Sequence, residues 1–84
     1  MTDELTQMAQ EELNSACSLT WPELKRITPW GDSFEGFAPS GRTVEVERRY
    51  LWALDPEGAI IVEVEVRDPA AREGVETRAI LHAP

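Results

Sequence analysis

Few residues in this chain could carry chemistry, and their spacing decides against most of it. Nucleophilic catalysis needs a Ser or Cys with a base within hydrogen-bond reach. The one cysteine is Cys17 and the one histidine is His82. Cys17 falls on the apolar stripe of a helical pattern, where a free thiol serves as a small hydrophobe. His82 sits at the end of the last strand pattern and reads as a surface residue. A metal site needs His, Cys or carboxylates at ligand spacing. Glu45-x-Glu47 and Glu63-x-Glu65 do align carboxylates on one strand face, but Arg49 and Arg67 interleave with them. A solvated, ion-paired surface is the expectation. Paired carboxylates do acid–base work when burial raises one pKa, and these read as exposed. Gly41, Gly58 and Gly74 fall in turn signals rather than a phosphate-binding loop. No catalytic residue, metal ligand or cofactor site follows, and the chain reads as a non-enzyme.

The elements that would position these residues are legible. Leu5, Met8, Ala9, Leu13, Ala16 and Cys17 recur at helical spacing, which predicts an amphipathic helix over about 3–17 with Thr2 as a possible cap. Thr20-Trp21-Pro22-Glu23 has a capping-box pattern with Pro in the first turn and predicts a short second helix over 21–27, ended by Pro29. A strand over 24–28 is the competing reading. Beyond residue 32 the hydrophobic period changes to two. Strands are expected at about 33–38, 43–54, 59–67 and 75–82. The sum is an α+β fold: one domain over 1–84, with a four-stranded antiparallel meander and the helix packed on one face.

Two connections share a signature, Ala38-Pro39-Ser40-Gly41 and Asp55-Pro56-Glu57-Gly58. Pro presets the second turn position, and Gly at the fourth suits a left-handed bulge residue. Both predict hairpins with three-residue loops. The first then sets Phe34 beside Val46. The second sets Trp52 opposite Val62, Tyr50 opposite Val64, Leu51 opposite Glu63, Arg49 opposite Glu65 and Glu47 opposite Arg67. A two-residue shift would set Glu47 against Glu65, which disfavours it. For the last strand, Arg67 aligns with Glu76, Glu65 with Arg78, Val62 with Leu81 and Val64 with Ala79, across a connection holding one helical turn. Arg48, alone on the apolar face, would reach Asp68 or solvent.

Composition bounds the function. The 84 residues carry sixteen acids against eight bases, a net charge of −8. That charge repels phosphate backbones and anionic membrane surfaces, so neither nucleic acid nor membrane is an expected partner. Hydrophobic residues make up 42%, enough for a small core, but no run is long enough to span a bilayer. With no signal-peptide pattern and one cysteine, the reducing cytoplasm is the expected compartment. Leu51, Ala53, Ile61 and Ile80 fall on the otherwise charged sheet face. Unless residues 18–30 cover them, they form a candidate contact patch.

Three functions fit. The first is a non-enzymatic protein-binding module, such as an inhibitor, immunity-type or accessory protein, acting through an acidic surface and this patch. The second is self-association by the sheet face or an open edge, with Glu76, Arg78 and His82 partly protecting strand four. The third is a small-ligand protein or enzyme with a pocket lined by Trp21, Trp30, Asp32 and Tyr50. The paired arginines of the central strands place the excess charge largely on the N-terminal helix.

Overall fold

The computed structural model describes residues 3–84, so Thr2 lies outside the described residues. Helix α1 (Glu4–Ala16) has Asp3 at its N-cap and buries Leu5, Ala9, Leu13 and Ala16 along one stripe. Helix α2 (Trp21–Ile27) starts where the Thr20–Glu23 pattern places it. The Glu23 carboxylate accepts from the Thr20 backbone N–H (3.4 Å) and hydroxyl (2.9 Å). Four strands follow: β1 (Trp30–Phe37), β2 (Thr43–Trp52), β3 (Ile60–Asp68) and β4 (Glu73–Leu81). They pair in sequence order as an antiparallel meander. The α+β architecture is the expected one. The β1 strand begins three residues earlier than the sequence suggests, and β2 ends two residues sooner.

Alternate residues of the strands build a single core. Val44, Val46, Tyr50, Ile60, Val62, Val64 and Val66 are buried together with the α1 stripe and Leu24 of α2. Helix α1 lies over β3 and β4. A helix is about 10–12 Å across and strands lie about 4.8 Å apart, so one helix covers about two strands. The inner face of β1 is therefore left partly open.

The register of β1 on β2 is the expected one, with Phe34 opposite Val46. That of β2 on β3 is not. Tyr50 faces Val62, Trp52 faces Ile60 and Glu47 faces Glu65, the two-residue shift that the like-charge argument disfavoured. The shifted register is the better one once every pair is weighed. Leu51 meets Ile61 instead of Glu63, while Arg49 meets Glu63 and Arg67 meets Glu45, so the opposite-charge pairs are kept. The Glu47–Glu65 contact is bridged: Arg67 reaches Glu47 at 3.4 Å and Glu65 at 3.0 Å, and Arg49 holds the other Glu47 oxygen at 2.6 Å. An apolar pair is gained at the cost of a repulsion that neighbouring guanidiniums neutralise.

The β3–β4 register is likewise offset by two, with Glu65 opposite Glu76, Glu63 opposite Arg78 and Val62 opposite Ala79. The connection is tighter than expected. The Asp68 carboxylate accepts from the backbone N–H groups of Ala70 (3.1 Å) and Ala71 (3.2 Å). Arg72 adopts a left-handed φ of 54°. Asp68 and Glu73 thus become the closing pair of a four-residue turn, and no helix forms there.

Asp68 is the buried charged residue of the core, 4% exposed. Its partner is Arg42, not Arg48: Arg42 Nη1 lies 3.1 Å from Asp68 and 3.2 Å from Glu73, while its Nε bonds Glu4 at 2.6 Å. Arg48 turns instead to Asp32, through two bonds of 2.9 and 2.5 Å, with Glu12 of α1 3.9 Å away. Three of the four acids in residues 3–12 are thus held on arginines, Asp3 and Glu4 on Arg42 and Glu12 on Arg48. Those two arginines also serve Asp68, Glu73 and Asp32, six carboxylates in all, so this region keeps an acidic excess.

Candidate functional site

The face of the sheet opposite α1 is uncovered, and the register lays its side chains out in rows. At one end Leu51, Ile61 and Ile80 form an apolar row across β2, β3 and β4. The next row holds Gly31, Arg49, Glu63 and Arg78; the next Ser33, Glu47, Glu65 and Glu76; the next Glu35, Glu45, Arg67 and Gly74. Six glutamates thus share this face with three arginines. Its middle row is glutamate on three successive strands.

The four candidate contact residues are brought to one region. Leu51 is 38% exposed and Ile80 53%, Ile61 between them is half-buried, and Ala53 lies exposed just past the end of β2. Residues 18–30 do not cover them. The correct register makes this patch more coherent than the sequence reading did, because Leu51 and Ile61 are direct partners.

The four candidate pocket residues are not brought to one place. Trp30 stacks on Tyr50 with ring centroids 5.4 Å apart and planes 13° from parallel. Asp32 lies on the same inner face, tied to Arg48. Trp21 is elsewhere, donating its ring N–H to the Gly58 carbonyl at 2.9 Å in the β2–β3 turn. Three open depressions on the surface carry no tryptophan in their walls. One of them, about 510 Å³, is lined by charged side chains near the β3–β4 turn such as Glu45, Arg67 and Glu73.

The aromatic stretch Trp30–Phe37, with three of the pocket candidates in or beside it, carries a cation that sequence reasoning did not place there. The Arg48 guanidinium lies 5.2 Å from the Phe34 ring centre and 5.9 Å from that of Trp30, a cation held between two aromatic faces. The Arg48 hydrogen bonds hold the Asp32 carboxyl below its ordinary range. Phe37, on the other face of β1, is 71% exposed. The signal was present: a single helix is too narrow to cover four strands, so the aromatics at one sheet edge had to remain open.

Burial shifts two titratable groups on the core side of the sheet. Burial pushes the Cys17 thiol up, away from the reactive thiolate. Burial likewise raises the Tyr50 phenol. Among the described residues no group of three or more metal-ligating side chains is placed to hold an ion. No helix of the described residues is long and apolar enough to cross a membrane. No protein-family model, curated protein or solved structure matches the chain.

Proposed function

We propose that this chain is a non-enzymatic protein-binding module that docks a basic partner on the open face of its sheet. The observation that supports the reading is the apolar row Leu51–Ile61–Ile80 running directly into a face on which glutamates outnumber arginines. An apolar centre gives affinity when a partner excludes water from it, and a charged surround gives orientation and on-rate. The complementary surface is an aliphatic or aromatic anchor flanked by lysines or arginines. A reducing cytoplasm is the compartment that suits the single half-buried thiol.

The test is affinity capture with purified protein at low and high salt, beside a Leu51→Lys variant of equal stability. A stoichiometric basic partner, retained at low salt, weakened by salt and lost with Leu51→Lys, is the expected result. Equal capture by the variant, or no stoichiometric partner at low salt, overturns the reading.

A further inference from the structure

The β4 edge is complementary to itself, and we infer that a second copy of this chain pairs there, antiparallel, about a two-fold axis through Thr77. In the β2–β3 hairpin Ala53 N–H bonds the Ala59 carbonyl, so the odd residues of β3 direct their backbone groups at β2. Even residues of β3 then bond β4, whose odd residues answer them, Val64 on Thr77 among these. The N–H and C=O groups of Gly74, Glu76, Arg78 and Ile80 are left pointing outward along the free edge. Pairing two such edges about Thr77 joins all of these groups.

The side chains choose that register. With Thr77 opposite Thr77, Glu76 of each copy faces Arg78 of the other, and Ile80 faces Gly74. Moving the axis to residue 76 sets Glu76 against Glu76; moving it to 78 sets Arg78 against Arg78. Like charges directly opposite destabilise a sheet. Arg78 makes no ion pair among the described residues of one copy. In the pair it brings a second cation to Glu76, which Arg49 reaches at 3.4 Å within one copy. The other edge, β1, offers no such match: it carries Asp32 and Glu35 and no base.

The helices support the same geometry. Helix α1 lies over β3 and β4, so in the pair the two α1 axes are two strand spacings apart, about 9–10 Å. Packed helices lie 8–10 Å apart. The acids Glu4 and Glu12 hold the flank of α1 that faces Arg42 and Arg48. By the 3.6-residue turn, the opposite flank, toward β4, presents the exposed and uncharged Thr6 and Gln10. The pair leaves the open sheet face exposed in both copies, so it is independent of the docking proposed above.

Sedimentation velocity on the full chain, from low micromolar to several hundred micromolar, tests this inference. The expected wild-type result is a reversible dimer. Glu76→Arg and Arg78→Glu each set like charges opposite at two symmetric positions and should weaken association about tenfold or more. The double variant, Glu76→Arg with Arg78→Glu, should recover association to within about threefold of wild type. Thr77→Cys in a Cys17→Ser background should form an intermolecular disulfide under mild oxidation, because a non-hydrogen-bonded antiparallel pair sets its Cα atoms about 4.5 Å apart. A strict monomer at the highest concentration overturns the inference. So does a dimer indifferent to both single reversals, or one that the double variant fails to restore. Leu51→Lys should leave the dimer intact, which separates this result from the capture experiment.

Discussion

The two Pro-Gly hairpins of this sheet have nearly the same signature and close in different ways. In Ala38-Pro39-Ser40-Gly41, Gly41 takes a φ of 94° and its N–H bonds the Ala38 carbonyl at 2.8 Å, while Ala38 N–H bonds the Arg42 carbonyl at 2.9 Å. That is the three-residue loop the sequence predicts. In Asp55-Pro56-Glu57-Gly58, Glu57 is the left-handed residue, with φ of 68°. Ala53 N–H bonds the Ala59 carbonyl at 2.9 Å, which leaves a five-residue loop. Leu54 is then expelled to solvent at 87% exposure. A non-glycine residue in this conformation costs about 1–2 kcal/mol. The surroundings offset the cost: Lys25 of α2 meets Glu57 at 2.6 Å, and Trp21 caps the Gly58 carbonyl. The lesson is that the turn motif proposes a register and the strands and the neighbouring helix dispose of it.

The contrast can be broken most forcefully at Arg42. It joins the first turn to the buried Asp68, so Arg42→Ala leaves a nearly buried carboxylate without its partner. A loss of about 2–3 kcal/mol in urea unfolding is expected. The corresponding base at the second turn is Lys25, on an exposed pair, and Lys25→Ala should cost no more than about 0.5 kcal/mol. Equal losses would mean the two turns are anchored alike.

The glycines come next. Gly41→Ala should cost about 1–3 kcal/mol, because a side chain is strained at that φ even though space around it is open. Gly58 is not left-handed, and a Cβ there meets only the Asp55 carbonyl oxygen at 3.1 Å. Gly58→Ala should cost less than about 1 kcal/mol. A larger loss at Gly58 than at Gly41 would assign the bulge to the wrong turn. Trp21→Phe, which keeps the ring and removes the N–H donor to Gly58, should cost about 1 kcal/mol and act on the second turn alone.

The smallest effects are in titration. Hydrogen bonding from Ser40, aided by Arg42, lowers the Glu4 carboxyl, and Lys25 lowers that of Glu57, both from an ordinary value of 4.5. A lowered folded pKa means the contribution to stability is complete above the unfolded value and is lost as pH falls through the folded one. NMR titration should show Glu57 returning to its ordinary value in Lys25→Met. In Arg42→Met, Glu4 should remain lowered, because the Ser40 contacts at 3.1 and 2.7 Å persist. Full recovery of Glu4 in that variant would assign its shift to Arg42 instead.

What was legible follows from the range of the interactions. Helix α1 and all of α2, the meander, the first hairpin register and the outward direction of Leu51, Ile61 and Ile80 come from local periodicity and capping, and those signals lie within a few residues. The second and third registers did not follow. Counting one repulsive pair, Glu47 against Glu65, omitted the diagonal reach of Arg67 and Arg49. The length of the β3–β4 turn depended on the Asp68 side chain folding back on Ala70 and Ala71. Arg48 was assigned the wrong carboxylate because the expected register set it opposite Val66, close to Asp68, whereas it stands opposite Val64 and, with β1 extended back to Trp30, directly opposite Asp32.

By itself, the sequence determined which faces are apolar, where the chain turns, and that the excess charge is acidic, because period and turn chemistry act on neighbours along the chain. Only the tertiary structure decided which strand residues stand opposite one another. That choice rests on whole rows of side chains, on Lys25 and Trp21 reaching the second turn, and on Arg42 gathering Glu4, Asp68 and Glu73 from three separate segments. It also decided that both helices pack on one face of the sheet, with α1 over β3 and β4, which is why the acidic face with its apolar row and the aromatic edge of β1 remain open.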